Sequence, residues 1–341
     1  MKAVRIHEFG GPEVLRYEDV PDPQLRKDQV LVRVKACAMN HLDLWVRKGI
    51  PGVKLPHILG SDVAGEIVEI GEYVTGFKPD QRVLLAPMHF CGHCTNCVAG
   101  LQNQCRAFTV LGNAVDGGNC ELIAVSAVTV VPIPDSLDFN QAASVPLVFT
   151  TAWHMLTGRA AIRPGQTVLV LGANSGVGIA GIQVAKLFHC TVIATAGDEQ
   201  KAARARELGA DFVINHYQQK ISEEVRKITN KEGVDIVMEH VGPATWDESI
   251  RSLKPAGTLV TCGATTGPQV GIDLRFVYSR QLSILGSYMG NKGELLRVAA
   301  LFFAGQVSPV IDRTYPLAEA AAAQRRLEES RQFGKIVLEM P

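Results

Sequence analysis

The chain has 341 residues, 47% of them hydrophobic and 20% charged, a length that suits two domains better than one core. Its 34 basic and 34 acidic residues cancel to a formal charge of zero, so no electrostatic basis exists for nucleic acid or an anionic membrane as partner. No run of about 18 apolar residues is long enough to cross a bilayer. The opening MKAVRIHEFGGPEVL lacks the apolar segment of an export signal, which predicts a cytoplasmic protein whose eight cysteines stay reduced.

The first chemical feature along the chain is Cys91-x2-Cys94-x2-Cys97-x7-Cys105. Four thiolates in a reduced compartment suit one tetrahedral zinc with no open coordination position, hence a structural site. The rival, an iron–sulfur cluster, expects a fourth cysteine three residues on and then proline, and neither is present. His93 lies inside the loop and is surplus to four sulfurs.

From Gln166 the pattern alternates. Thr167–Leu171 reads as a strand buried on both faces, and Ile179–Phe188 as a helix. Thr191–Thr195 reads as a second strand, and a charged helix follows that ends near Leu208. Asp211–Ile214, Val234–Met238, Thr258–Thr261 and Leu282–Leu285 read as later strands. This alternation predicts an α/β fold with a doubly wound parallel sheet. Between the first strand and helix lies Gly172-Ala-Asn-Ser-Gly-Val-Gly178, where backbone N–H groups at a helix N-terminus can receive a pyrophosphate. Gly172, Asn174, Ser175, Gly176, Val177 and Gly178 are therefore the expected phosphate contacts. No Gly-Lys-Ser/Thr follows, which excludes a Walker loop, and Tyr217-Gln-Gln-Lys220 is one residue short of the short-chain dehydrogenase pair.

The second strand ends in Ala194-Thr195-Ala196-Gly197 without the acid that would hold an adenosine ribose. Lys201 and Arg204 follow and can meet a 2′-phosphate, so NADP is the expected cofactor, with NAD as the alternative. Asp198 lies nearby and opposes that choice. Val241-Gly242 and Gly263 follow later strands, where the backbone has to pass close to the cofactor, and Cys262 reads as a core thiol.

The cysteine lobe, the GANSGVG turn and the closing FGKIVL together resemble the medium-chain dehydrogenase/reductase superfamily, over essentially the whole chain. The resemblance implies a GroES-like, β-rich catalytic domain formed by residues 1–148 and 288–341, with the zinc lobe at about 88–108, around a Rossmann domain at 149–287. It maps the structural zinc onto Cys91, Cys94, Cys97 and Cys105. At the three catalytic-zinc ligand positions of the alcohol dehydrogenase branch it puts Asn40, Ser61 and Leu147, with Asp62 where a glutamate is usual. Leucine offers no donor, and asparagine and serine are weak ligands. The stretches NHLDLWVRKG and LGSD instead look like the quinone oxidoreductase branch, which works with NADPH and no catalytic metal. By the same resemblance Asn40 and Thr151 contact the nicotinamide, Lys335 lies near the pyrophosphate and pairs with Asp43, and relatives assemble as homodimers or homotetramers; Trp45 and Arg47 are expected either to line the substrate entrance or to serve the framework.

Without a Lewis acid, hydride transfer is easiest to an electron-poor carbon, because charge then lands on an enolate or phenolate oxygen. The expected activity is NADPH-dependent reduction of a small-molecule carbonyl, enone or quinone, with one structural zinc per chain. His41 is the nearest candidate proton donor. Two alternatives stay open: an alcohol dehydrogenase whose catalytic zinc uses an unusual set drawn from Cys37, His41, Asp43, His57 and Asp62, and a dinucleotide-binding protein without turnover.

Overall fold

A computed structural model describes all 341 residues. They divide into two compact units, Met1–Leu147 with Asn291–Pro341, and Val148–Gly290.

The terminal unit is built on a seven-stranded sheet in the order Val130–Pro132, Arg82–Leu85, Asp62–Ile70, Gln29–Ala38, Lys335–Glu339, Ile311–Pro316, with Leu122–Ser126 also paired to Gln29–Ala38. The central strands carry valine and isoleucine into one core: Val30, Val32, Val34, Val63, Ile67, Val83 and Ile123 are all buried. Branched side chains favour this pleated packing. Register then decides what meets at the strand ends. Ala38 lies opposite both Asp62 and Val337 in antiparallel pairs, so the segments carrying Asn40, Asp62 and Lys335 arrive side by side although they are scattered along the chain.

The central unit holds six strands, β1 (Thr167–Val170), β2 (Thr191–Ala196), β3 (Phe212–Asn215), β4 (Val234–Glu239), β5 (Leu253–Thr261) and β6 (Ser283–Gly286). Their spatial order is β3-β2-β1-β4-β5-β6, and every pairing is parallel. Continuous apolar runs such as Leu169, Ile193, Val237 and Leu259 follow from burial on both faces. The order reverses between β1 and β4, the crevice where such sheets bind dinucleotides. β5 begins at Leu253, earlier than its apolar run suggests, because Leu253 pairs with Val234 ahead of an irregularity in the ladder. No helix is long and apolar enough to cross a membrane.

Candidate functional site

The cysteine lobe hangs on a short hairpin, Met88–His89 with Thr109–Val110, and a four-residue helix, Thr95–Val98, turns the chain back. All four Sγ atoms lie within 4.8 Å of one another, with Cys91 to Cys105 at 3.5 Å and Cys91 to Cys97 at 3.8 Å. A tetrahedron with metal–sulfur bonds of about 2.3 Å has edges of roughly 3.8 Å, so the thiols are spaced for one ion. Backbone N–H groups of His93 and Cys94 lower the Cys91 thiol to about 6, which favours a thiolate. His93 turns its Nδ1 to the Cys91 carbonyl (2.8 Å) and takes no part in the cluster.

No second group of three His, Cys, Asp or Glu donors converges, so Cys37, His41, Asp43, His57 and Asp62 do not form a ligand set. His57 is buried between the Gly112 carbonyl (3.1 Å) and Asp116 (3.3 Å). Cys37 is a core thiol raised by burial.

At the ligand positions inferred from resemblance lies a closed polar network. Lys335 Nζ donates to Asn40 Oδ1 (2.7 Å) and Asp62 Oδ2 (3.0 Å), while Asn40 Nδ2 donates to Asp62 Oδ2 (2.9 Å). The Leu147 N–H donates to Asp62 Oδ1 (2.8 Å). Ser61 is fully buried with no partner for its hydroxyl.

One expectation is corrected here. Lys335 pairs with Asp62 rather than Asp43, because sheet register brings Asp62 opposite Ala38 whereas Asp43 turns back to cap its own helix. Asp43 accepts from the Asn40 N–H (2.7 Å) and the Gly60 N–H (3.0 Å); burial raises its carboxyl to about 6, against the pull of those bonds and of Lys335. Of the two roles open to Arg47, its surroundings match the framework one. It is fully buried, donating to the Gly10 carbonyl (3.1 Å), Gln324 (2.8 Å) and Glu328 (2.9 Å). Trp45 is partly buried and packs edge-on to His41, the first residue of helix His41–Lys48, at 5.1 Å.

In the central unit the glycine turn has the shape of a phosphate cradle. Gly172 adopts φ +59°, and a Cβ on Gly178 would lie 2.2 Å from the Gly172 carbonyl, so both positions demand glycine. Ser175 caps helix Gly176–Leu187 by accepting from the Gly178 N–H (2.9 Å). The first-turn N–H groups of Gly176 and Val177 have no intrahelical carbonyl to serve, which suits a pyrophosphate, and Asn174 lies beside them in the turn. Thr151, on helix Pro146–Trp153, is buried with its hydroxyl toward Met289 Sδ (3.5 Å).

After β2, Asp198 is occupied as a helix cap. One carboxylate oxygen accepts from the Lys201 N–H (2.8 Å), and Lys201 Nζ lies 3.6 Å from the other. Arg204 is on the same helix, Glu199–Glu207. Two residues missed from sequence gather here: His216, whose imidazole is lowered by burial and by the charge of Lys201, and Tyr217, which is 81% exposed with its ring against Gly197. Their signal was position, since they directly follow β3.

After β4 the Val241 and Gly242 N–H groups point inward, to Glu239 (2.6 and 3.0 Å), and Gly242 adopts φ +93°. Gly263 passes close to His240, whose carbonyl would lie 3.2 Å from a Cβ there. Cys262 is pushed up to about 12 by burial and by the nearby charge of Glu239. His240 itself places Nε2 at 2.9 Å from the Leu171 carbonyl, bracing the glycine turn.

A doubly wound sheet with a phosphate cradle at its switch point, joined to a β-rich unit with a four-thiol lobe, defines a nicotinamide-dependent oxidoreductase. Residues 26–135 match the alcohol dehydrogenase GroES-like domain and residues 176–304 the zinc-binding dehydrogenase family. Quinone oxidoreductase of Sus scrofa is 32% identical over 99% of this chain and 97% of its own length. Acryloyl-coenzyme A reductase of Metallosphaera sedula is 31% identical over 99% of both. The solved structure of an NAD-dependent alcohol dehydrogenase is 41% identical over 100% of both chains, with a TM-score of 0.97. The chain belongs to the medium-chain dehydrogenase/reductase superfamily, in its zinc-type alcohol dehydrogenase and quinone oxidoreductase branch.

Proposed function

We propose that the protein is an NADPH-dependent reductase of activated acceptors, quinones or α,β-unsaturated carbonyls, that uses zinc only in its cysteine lobe. The observation that carries this reading is the network at Asn40, Asp62 and Lys335, in which the donors satisfy one another and Ser61 and Leu147 complete no ligand set. The names of the quinone oxidoreductase and acryloyl-coenzyme A reductase relatives, both enzymes of electron-poor acceptors, support it.

A bound NADPH supplies the hydride. On an enone it arrives at the β-carbon, the π electrons move to the carbonyl oxygen, and the resulting enolate takes a proton at the α-carbon. Asn40 and Thr151 are proposed to orient the reacting groups, and His41 to return the proton. Gly172–Gly178 hold the diphosphate in this reading, and Val241, Gly242 and Gly263 wall the ring.

The choice of NADPH rests on Lys201 and Arg204 and on Asp198 being taken up as a cap. The 41% identity to an NAD-dependent alcohol dehydrogenase favours NAD and an alcohol as the second reading. A panel of enones, quinones, aldehydes and alcohols, run with both cofactors alongside zinc analysis, separates them. Enone or quinone turnover with NADPH is expected; alcohol oxidation that tracks a second bound zinc would displace the proposal. Free cysteines support a reducing, cytoplasmic setting. Strand β6 is an unpaired sheet edge with Ile284, Leu274 and Tyr278 exposed, which supports pairing of two copies along this edge, measurable by light scattering.

A further inference from the structure

We propose that Glu239 is the resident counter-charge for the oxidised nicotinamide ring, and not only a brace for its loop. Glu239 closes β4 and is fully buried. Its carboxylate accepts from the Val241 N–H (2.6 Å), the Gly242 N–H (3.0 Å), the Thr245 hydroxyl (3.0 Å) and the Ser249 hydroxyl (2.6 Å). None of these partners is cationic, so the negative charge is solvated by dipoles but not cancelled. A neutral residue could shape the same turn, so a full charge kept out of water calls for a reason of its own.

Position supplies one. Such sheets bind dinucleotides in the crevice outside the carboxyl ends of the strands where their order reverses, here between β1 and β4, and Glu239 is the last residue of β4. As hydride departs, the neutral dihydronicotinamide becomes a cation. An anion held in the low-dielectric wall of that crevice would stabilise that charge without reorganising, and would therefore bind the oxidised form more tightly than the reduced one. The inference rests on a nicotinamide cofactor binding the central unit, and is independent of which acceptor is reduced.

The test is the ratio of two affinities on the full chain. NADPH and NADP⁺, then NADH and NAD⁺, are titrated into wild type, Glu239→Gln and Glu239→Asp, with unfolding followed in parallel. Glu239→Gln keeps the shape and removes the charge, and is expected to shift the ratio of dissociation constants about tenfold against the oxidised form, equivalent to about 1.4 kcal/mol. Glu239→Asp keeps the charge on a shorter reach and should weaken both forms together. If Glu239→Gln does not fold, Ser249→Ala combined with Thr245→Val strips two hydroxyls from the carboxylate and must move the ratio toward the oxidised form. An unchanged ratio in the folded variant would overturn the proposal and leave Glu239 as a brace. Wild type that binds none of the four dinucleotides would instead sink the cofactor assignment itself.

Discussion

The cysteine lobe and the Asn40–Asp62–Lys335 network are two polar clusters of one unit, and they differ in what their donors lack. In the lobe four sulfurs lie within 4.8 Å of one another, each a poor hydrogen-bond partner for the next, an arrangement that suits an ion. In the network every heteroatom of Asn40 and Asp62 meets a complementary partner, and the cation needed to balance Asp62 is the chain's own lysine. A metal site is thus recognised by donors that the protein leaves unserved. A cluster that has closed on itself leaves no such donor.

The largest test of that contrast is Cys94→Ser. Loss of one thiolate should release the zinc and cost at least about 3 kcal/mol in thermal or chemical unfolding, with zinc content per chain falling in step. Folded survivors should keep hydride transfer; a fully folded variant without it would make the lobe part of the active site. Next comes Lys335→Met, which strands the buried Asp62 carboxylate and should cost about 3 kcal/mol or more in denaturant titration. A loss no larger than that of a surface lysine would mean the network is not closed.

Asp43 sharpens the comparison through pH. Burial raises its folded carboxyl to about 6, above its unfolded value, so its stabilising share is complete below about pH 4 and is lost as pH rises through 6. Asp43→Asn removes that dependence, and the gap between the two unfolding free energies should change between pH 4 and 7 and stay flat above it. The smallest effect is expected for Lys201→Ala, which should raise KM for NADPH several-fold more than KM for NADH. Equal changes would remove the reason for preferring NADP.

Features with a short sequence span were legible beforehand. Cys91–Cys105 and Gly172–Gly178 each place their chemistry within fifteen residues, so spacing alone carries the geometry. The Rossmann strands were legible because burial on both faces removes polar interruptions. The Lys335–Asp62 pair was not, since it joins residues 273 apart through sheet register. Sequence left Arg47 between entrance and framework because the residues that enclose it, Gln324 and Glu328, lie far along the chain. Glu239 was local but silent: a lone acid ending an apolar strand does not reveal that its partners are two N–H groups and two hydroxyls.

The central claim is that zinc serves the lobe and side chains serve the acceptor. Zinc quantitation on purified protein during NADPH-dependent enone reduction tests it most directly. One zinc per chain, with turnover unaffected by mild chelation that leaves that ion in place, is the predicted result. Two zincs per chain, with activity lost as the second is withdrawn, would contradict it.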